Sequence, residues 1–356
     1  MHARLKRLRE RTNGYTVTPA QYVVVAYVAL GALTLIVLSG AAVRLSGSGL
    51  GCPDWPKCYG KAYPPLNTHA LIEFSNRVLT GPVSIAAGAA WLLALRRRPY
   101  RRELALIGAL LPLGVIAQAV LGGFTVRGEL DYGWVMGHFA LSMLILLAAV
   151  VLAWRARGAA LGDELPAREV SVADGRAPDG RAAQQGFGDR TLIWSLRSLA
   201  ALGALTIFAG TAATAAGPHA GGSPGQKINR LNFDGRGTMD FVIHRHGEIA
   251  LAFGLACLAV WWLARRRRAD VVVRRSLTVL CVLLALQGVV GLDQYKTHLP
   301  TQLVWVHVGL ACGAWLSVLW AACAAGRLAP RGARNTADRA VEGPLRPVAP
   351  LKFPGN

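Results

Sequence analysis

Residues 118–154 read QAVLGGFTVRGELDYGWVMGHFALSMLILLAAVVLAW, and residues 287–323 read QGVVGLDQYKTHLPTQLVWVHVGLACGAWLSVLWAAC. Laid over one another without a gap, Gln118 falls on Gln287, Gly122 on Gly291, His138 on His307 and Leu141 on Leu310. Small and apolar residues coincide by chance in any two membrane helices, but polar residues are scarce there, so matched Gln and His mark a duplication. Extending the overlay toward the N-terminus at an offset of about 169 residues, and shortening it by one, brings Asn76-Arg77 onto His244-Arg245. The fold class follows: an all-α integral membrane protein of two pseudo-symmetric four-helix bundles.

The composition agrees. Of 356 residues, 53% are hydrophobic and only 16% charged, a balance few water-soluble domains show. Runs long enough to span a bilayer, about 20 residues each, fall at roughly 22–43, 70–95, 104–124, 133–154, 193–216, 240–263, 276–292 and 302–325. The net charge of +20 could suggest nucleic acid, but the basic residues are gathered into blocks that alternate with the spans. Arg4 to Arg11, Arg96 to Arg102, Arg155 with Arg157, Arg265 to Arg268 and Arg327 to Arg334 mark every second connection. The positive-inside bias then places both termini in the cytoplasm of a cell membrane, with a lipid bilayer and no nucleic acid as partner. The expected organisation is a cytoplasmic tail over 1–21, an N-terminal bundle over 22–154, a flexible cytoplasmic linker over 155–192, a C-terminal bundle over 193–325 and a disordered tail over 326–356. The apolar run of the first span is too long for a signal peptide and stays a helix.

The matched polar residues lie in the second and fourth helices of each half, near the outward end. An imidazole in a span is costly without a partner, and Asn76, His138, His244 and His307 are therefore functional candidates. Two neutral imidazoles facing each other from two helices make a bis-histidine haem site, and His244 with His307 suits that role. His246 lies two positions on, about 200° around a helix, so both cannot face one iron. His244 occupies the repeat position and is followed by Arg245, whose charge suits a haem propionate. His69, His219 and His298 fall in outward connections and read as solvated loop residues.

Glu73 shares a helix face with Asn76 and Arg77. A buried carboxylate needs a partner, so Glu73 is either paired with Arg77 or reactive. In the register that sets Asn76 on His244, it aligns with Phe241. One half thus offers two histidines without an aligned acid, the other one histidine, an amide and an acid. Cys52 and Cys58 lie in the first outward connection, where a disulfide, a zinc site and a pair of reactive thiols all remain open. Cys257, Cys281, Cys312 and Cys323 read as packing residues.

The segments Val43 to Cys58, Glu73-Phe74-Ser75-Asn76-Arg77, Gln118 to Gly123, Gly137-His138, His244-Arg245 and His307 together resemble the haem A synthases of bacterial membranes and mitochondria. The likeness spans all eight helices. It implies an oxidoreductase that oxidises a methyl group of haem O, its substrate, to the formyl group of haem A, with haem b as cofactor in the C-terminal half. It further implies His244 and His307 as haem b ligands, with Arg245 beside them, and His138, Asn76 and Arg77 around the substrate haem, His138 bonding its iron and Glu73 as the catalytic residue, stabilising developing positive charge or orienting an attacking water. Haem O synthase is then the supplier and terminal oxidase assembly the recipient, in a bacterial plasma membrane, with a homo-oligomer allowed. Many family members carry histidine where this chain has Asn76, which leaves the substrate iron to His138 alone, or to His138 with water or the Asn76 amide. A membrane cytochrome b and a haem transporter are the competing classes. Glu73 and the Cys52/Cys58 loop weigh against the first, and the scattered placement of the ten tryptophans against the second.

Overall fold

The computed structural model describes residues 14–164, 189–223, 225–233 and 237–326. Within them lie eight helices: α1 (Pro19–Leu45), α2 (Thr68–Arg96), α3 (Arg102–Arg127), α4 (Tyr132–Glu164), α5 (Arg190–Ala216), α6 (Thr238–Arg266), α7 (Val271–Lys296) and α8 (Thr301–Ala325). All eight are long and apolar enough to cross a membrane, with mean hydropathy between 1.7 and 2.4 over their most apolar windows. No β-strand occurs among the described residues.

The starts of several helices are written in the sequence. Thr18 and Gln21 form a reciprocal capping box ahead of Pro19, and Asn67, Asp189 and Asp270 cap α2, α5 and α7 through their side chains. The helices are apolar on every face because lipid and protein interior are equally apolar. Residue size marks the inner face instead. Ala26, Ala29, Ala87, Ala90 and Ala94 are buried, while Val24, Val28, Ile85, Leu113 and Leu255 face outward. Small residues let backbones approach, as where the Tyr22 hydroxyl donates to the Ala90 carbonyl at 2.8 Å.

In each half the helices form a ring in chain order, the first also packing on the fourth, so that α2 and α4, and likewise α6 and α8, stand at opposite corners. The halves meet where α8 packs on α1 and α4, and α4 on α5. Two indoles of α8 cross this seam: Trp305 Nε1 donates to the Leu38 carbonyl at 3.2 Å and Trp315 Nε1 to the Met143 carbonyl at 3.1 Å. At the end carrying the Cys52/Cys58 loop, the connections of the two halves interlock. Gly49 N donates to the Gly221 carbonyl at 2.9 Å, Ser223 Oγ to the Gly47 carbonyl at 2.8 Å and Arg44 Nε to the His219 carbonyl at 3.1 Å.

The fourth helix runs past the expected boundary at residue 154 to Glu164. Ala156 and Ala159 continue the buried face, and Arg155 reaches Glu103 of α3 at 2.6 Å, so helix propensity and packing both carry it on. Residues 165–188 of the expected linker, 1–13 of the expected N-terminal tail and 327–356 of the expected C-terminal tail lie outside the described residues, and the first helix begins at Pro19, inside the expected tail.

Burial also fixes the register of the repeat. Val83, Ala87, Ala90 and Ala94 are the buried positions along the inner part of α2, and Phe253, Cys257, Val260 and Ala264 repeat their spacing on α6. Tyr22, Ala26, Ala29 and Leu33 of α1 correspond in the same way to Leu192, Leu196, Leu199 and Gly203 of α5. In this register Asn76 corresponds to His246, and the expected pairing of Asn76 with His244 is two residues out. Glu73 then corresponds to Ile243 rather than Phe241, and the second half still has no acid there.

Candidate functional site

The corner helices α6 and α8 bring together His246 and His307, whose ring centroids are 6.3 Å apart with planes inclined by 70°. Both are recessed. Their Nδ1 atoms are buried without a hydrogen-bond partner. The rings have room because a glycine faces each: a Cβ at Gly210 of α5 would lie 3.1 Å from His246 Cε1, and one at Gly291 of α7 3.2 Å from His307 Cε1. A metal–imidazole bond of about 2 Å on each side, with each nitrogen about 1.1 Å from its ring centroid, separates the centroids by about 6.2 Å when the two nitrogens face each other across one metal ion. The donor set therefore fits a bis-histidine iron.

His244 is not part of this pair. It is exposed, its Nδ1 donates to the Asp240 carbonyl at 2.6 Å, and its ring meets Tyr295 edge-on at 6.4 Å. Arg245 is exposed as well, ion-paired with Glu248 at 2.7 Å and lying over the Phe241 ring. The angular argument that only one of His244 and His246 faces the bundle interior holds. The choice between them is corrected to His246, because the shared His-Arg or Asn-Arg dipeptide weighed more in the sequence overlay than the buried spacing that sets the face.

In the N-terminal half, His138 of α4 stands against Gly122 of α3, where a Cβ would lie 3.5 Å from its Cε1, and its Nδ1 too is buried and unpartnered. Gln118 Nε2 fixes the backbone beneath it, donating to the His138 carbonyl at 2.9 Å and to Ser142 Oγ at 2.7 Å. Asn76, at the position of His246, accepts from Ser39 Oγ at 2.7 Å. The frame is that of the second half with one imidazole exchanged for an amide.

Glu73 is 6% exposed and both its oxygens are engaged. Oε2 accepts from Cys52 N at 2.7 Å, and Oε1 accepts from Arg77. Arg77 spreads its remaining donors over the carbonyls of Asp54 and Lys57, each at 2.9 Å, and of Cys52 at 3.2 Å. Cys52 and Cys58 are joined by a disulfide. Both sulfurs are taken up by this bond, and among the described residues no group of three or more His, Cys, Asp or Glu is placed to hold a metal ion. The loop they close reaches from α2 across to α3, where the Trp55 ring sits 3.3 Å from the place a Cβ would take at Gly123, next to the glycine that faces His138. Within the loop, Asp54 accepts from the backbone N–H groups of Gly60 at 2.7 Å and Tyr59 at 2.6 Å, and these bonds, led by Gly60, hold its carboxyl below the usual carboxylate range.

Of the histidines expected in outward connections, His69 lies instead in the first turn of α2, and it and His219 have structural partners. His69 Nδ1 pairs with Ser48 Oγ at 2.9 Å, and His219 Nε2 donates to the Leu299 carbonyl at 2.7 Å. The buried face of α6, had it been matched to that of α2, would have pointed to His246. Ser39 and Gly210 carry no polar repeat or motif of their own, and they, like the contact of Trp55 with Gly123, show their part only in three dimensions.

Comparison with known proteins bears on this geometry. The COX15-CtaA family, described as cytochrome oxidase assembly protein, matches residues 23–319. The chain belongs to this family. The match runs from α1 to α8 and takes in every residue of the two histidine sites. A heme A synthase of Shewanella oneidensis is 29% identical over 306 residues, which cover 77% of this chain and 88% of that protein. A heme A synthase of Lysinibacillus sphaericus is 41% identical over 123 residues, 34% of this chain and 39% of that protein. A protein of Thermus thermophilus named protoheme IX farnesyltransferase is 27% identical over 305 residues, 82% of this chain and 46% of that protein.

Proposed function

We propose that the chain is a haem A synthase of a bacterial cell membrane, an oxidoreductase that takes one methyl group of haem O to a formyl group. The reaction is two successive two-electron oxidations at a single carbon. Membership of the family, and likeness to a heme A synthase along most of that protein's length, support the activity. The observation that carries the division of labour is the His246–His307 pair, spaced for one iron, set against a first half in which His138 has no imidazole opposite.

In this reading His246 and His307 hold haem b, which when bound supplies a one-electron carrier. Their buried Nδ1 atoms and facing glycines orient the rings. His138 holds the iron of the substrate haem, and the Asn76 amide, bonded to Ser39, leaves the opposite side less firmly occupied. Glu73 and Arg77 work through the disulfide loop: they hold Trp55 against α3 above His138 and exclude bulk water from the reacting edge. Glu73 is thus a positioning residue, where the sequence suggested a catalytic one. The disulfide-loop end faces outward, in keeping with the basic blocks at the opposite end. A haem-farnesylating enzyme in the same membrane supplies the substrate, in agreement with the Thermus relative's name, and assembly of terminal oxidases takes the product.

The test is to supply the purified protein in lipid nanodiscs with haem O and an electron acceptor, and to extract and chromatograph the haems. Haem A beside retained haem b is the expected result. Unchanged haem O beside haem b would leave a membrane cytochrome b.

A further inference from the structure

Between α1 and α2, at the level of Asn76, lies a cleft of about 400 Å³ that opens sideways from the bundle. Ser39, Ala42 and Val43 form one wall, and Ile72, Ser75 and Leu79 belong to the other, with Asn76 completing the lining. Its volume is within the ~300–1,000 Å³ of small-molecule sites, and only Ser39, Ser75 and Asn76 are polar among the lining residues.

Three features give the cleft a direction. Its lining includes the residue that stands opposite His138, so it is continuous with the place of the substrate haem. On either side of Asn76 in sequence, Glu73 and Arg77 tie α2 to the disulfide loop. Further along α2, Val83, Ala87 and Ala90 are buried and close-packed and leave no room. In the second half the same corner is filled: the His246 ring lies within 3.1 Å of the Cβ position of Gly210. At the matching Gly40 nothing lies within 4 Å of that position. An amide in place of an imidazole thus leaves space beside the site that binds substrate, and leaves none beside the site that carries electrons.

We infer that the α1–α2 cleft beside Asn76 seats the long isoprenoid tail of the substrate haem. The inference rests on the proposed reaction, whose substrate differs from haem b by that tail. A tail of this kind is apolar along its length and gains from leaving water for a wall of Ile72, Leu79 and Val43 while its far end meets lipid.

The experiment uses the full chain in nanodiscs with its resident haem b, titrated optically with haem O and, separately, with haem b. The wild type takes up haem O more tightly than added haem b by about tenfold or more. Ala42→Trp, which fills the cleft, erases that preference and leaves the resident haem b spectrum unchanged. Ser75→Leu, at the exposed lip, provides a milder filling and halves or better the preference if the larger variant does not fold. An undiminished preference in the filled variants, or an equal loss of affinity for both haems, overturns the tail seat. A wild type that binds haem O with the expected preference and never forms haem A overturns the reaction while leaving the seat intact.

Discussion

The outer third of the first bundle and that of the second are built on one frame. In both, the last helix carries a histidine facing a glycine of the third helix, and in both the second helix presents a polar residue to the first. The second bundle completes a symmetric pair of imidazoles and spends no acid. The first replaces one imidazole with Asn76, adds Glu73 and Arg77, and roofs the result with a disulfide-closed loop. Iron held between two protein imidazoles has no free position and suits electron transfer. On the proposed assignment, the symmetric site carries electrons and the covered, asymmetric one is where a bound haem is changed.

The sharpest way to break this comparison is at its best-formed point. His246→Ala or His307→Ala should abolish the low-spin haem b spectrum of the purified protein, while His244→Ala should leave it intact. A haem b lost with His244 and kept without His246 would reverse the register set by burial. Next, Asn76→His should make the first half resemble the second: bound substrate haem becomes low-spin by electron paramagnetic resonance. An unaltered spin state would show that position 76 does not face the substrate iron. The glycines give a graded contrast. Gly291→Ala pushes a methyl to 3.2 Å from the His307 ring and should weaken haem b retention about tenfold, whereas Gly122→Ala meets His138 at an ordinary 3.5 Å and should change substrate uptake little.

Glu73→Ala removes one partner of a buried ion pair and should cost about 3 kcal/mol of stability. Thermal unfolding and limited proteolysis at the Cys52–Cys58 loop read this out. For Glu73→Gln, a positioning role predicts a higher KM for haem O and faster loop cleavage with haem b retained; a fall in kcat alone, with the loop protected, would restore a direct catalytic role. The smallest effect is at Asp54. Its carboxyl is depressed in the folded chain, so its contribution to loop order is present above the ordinary carboxylate pKa and is lost as pH falls through the depressed value. Proteolysis of the loop by an acid-active protease should rise on acidification in the wild type, and Asp54→Asn should flatten that dependence.

The architecture was legible because membrane helices announce themselves by length and composition, and because Gln118, His138, Gln287 and His307 repeat without a gap. The partner of His307 was not. A helix that is apolar all round carries no amphipathic signal to tell the inner face, so a two-residue choice between His244 and His246 fell to dipeptide identity. The small buried residues of α2 and α6 hold the answer, but alanine, valine and cysteine look alike in such helices until packing singles some of them out. Glu73 was readable as a paired or reactive group. That its partners would include the Cys52 amide depends on the loop folding back over α2, a contact distant in sequence and specified by no spacing.

The indoles of Trp305 and Trp315 give the seam between the bundles a further meaning. Both belong to the helix that carries His307, and they grip the backbones of α1 and α4, the helices that carry Ser39 and His138. Electron tunnelling falls steeply with separation, so two redox centres on loosely joined bundles would exchange electrons at a rate set by the instantaneous gap. Anchoring one helix to both walls of the neighbouring bundle makes that gap a fixed dimension of the molecule. On the proposed assignment of one haem to each bundle, the duplication thereby becomes a wired pair.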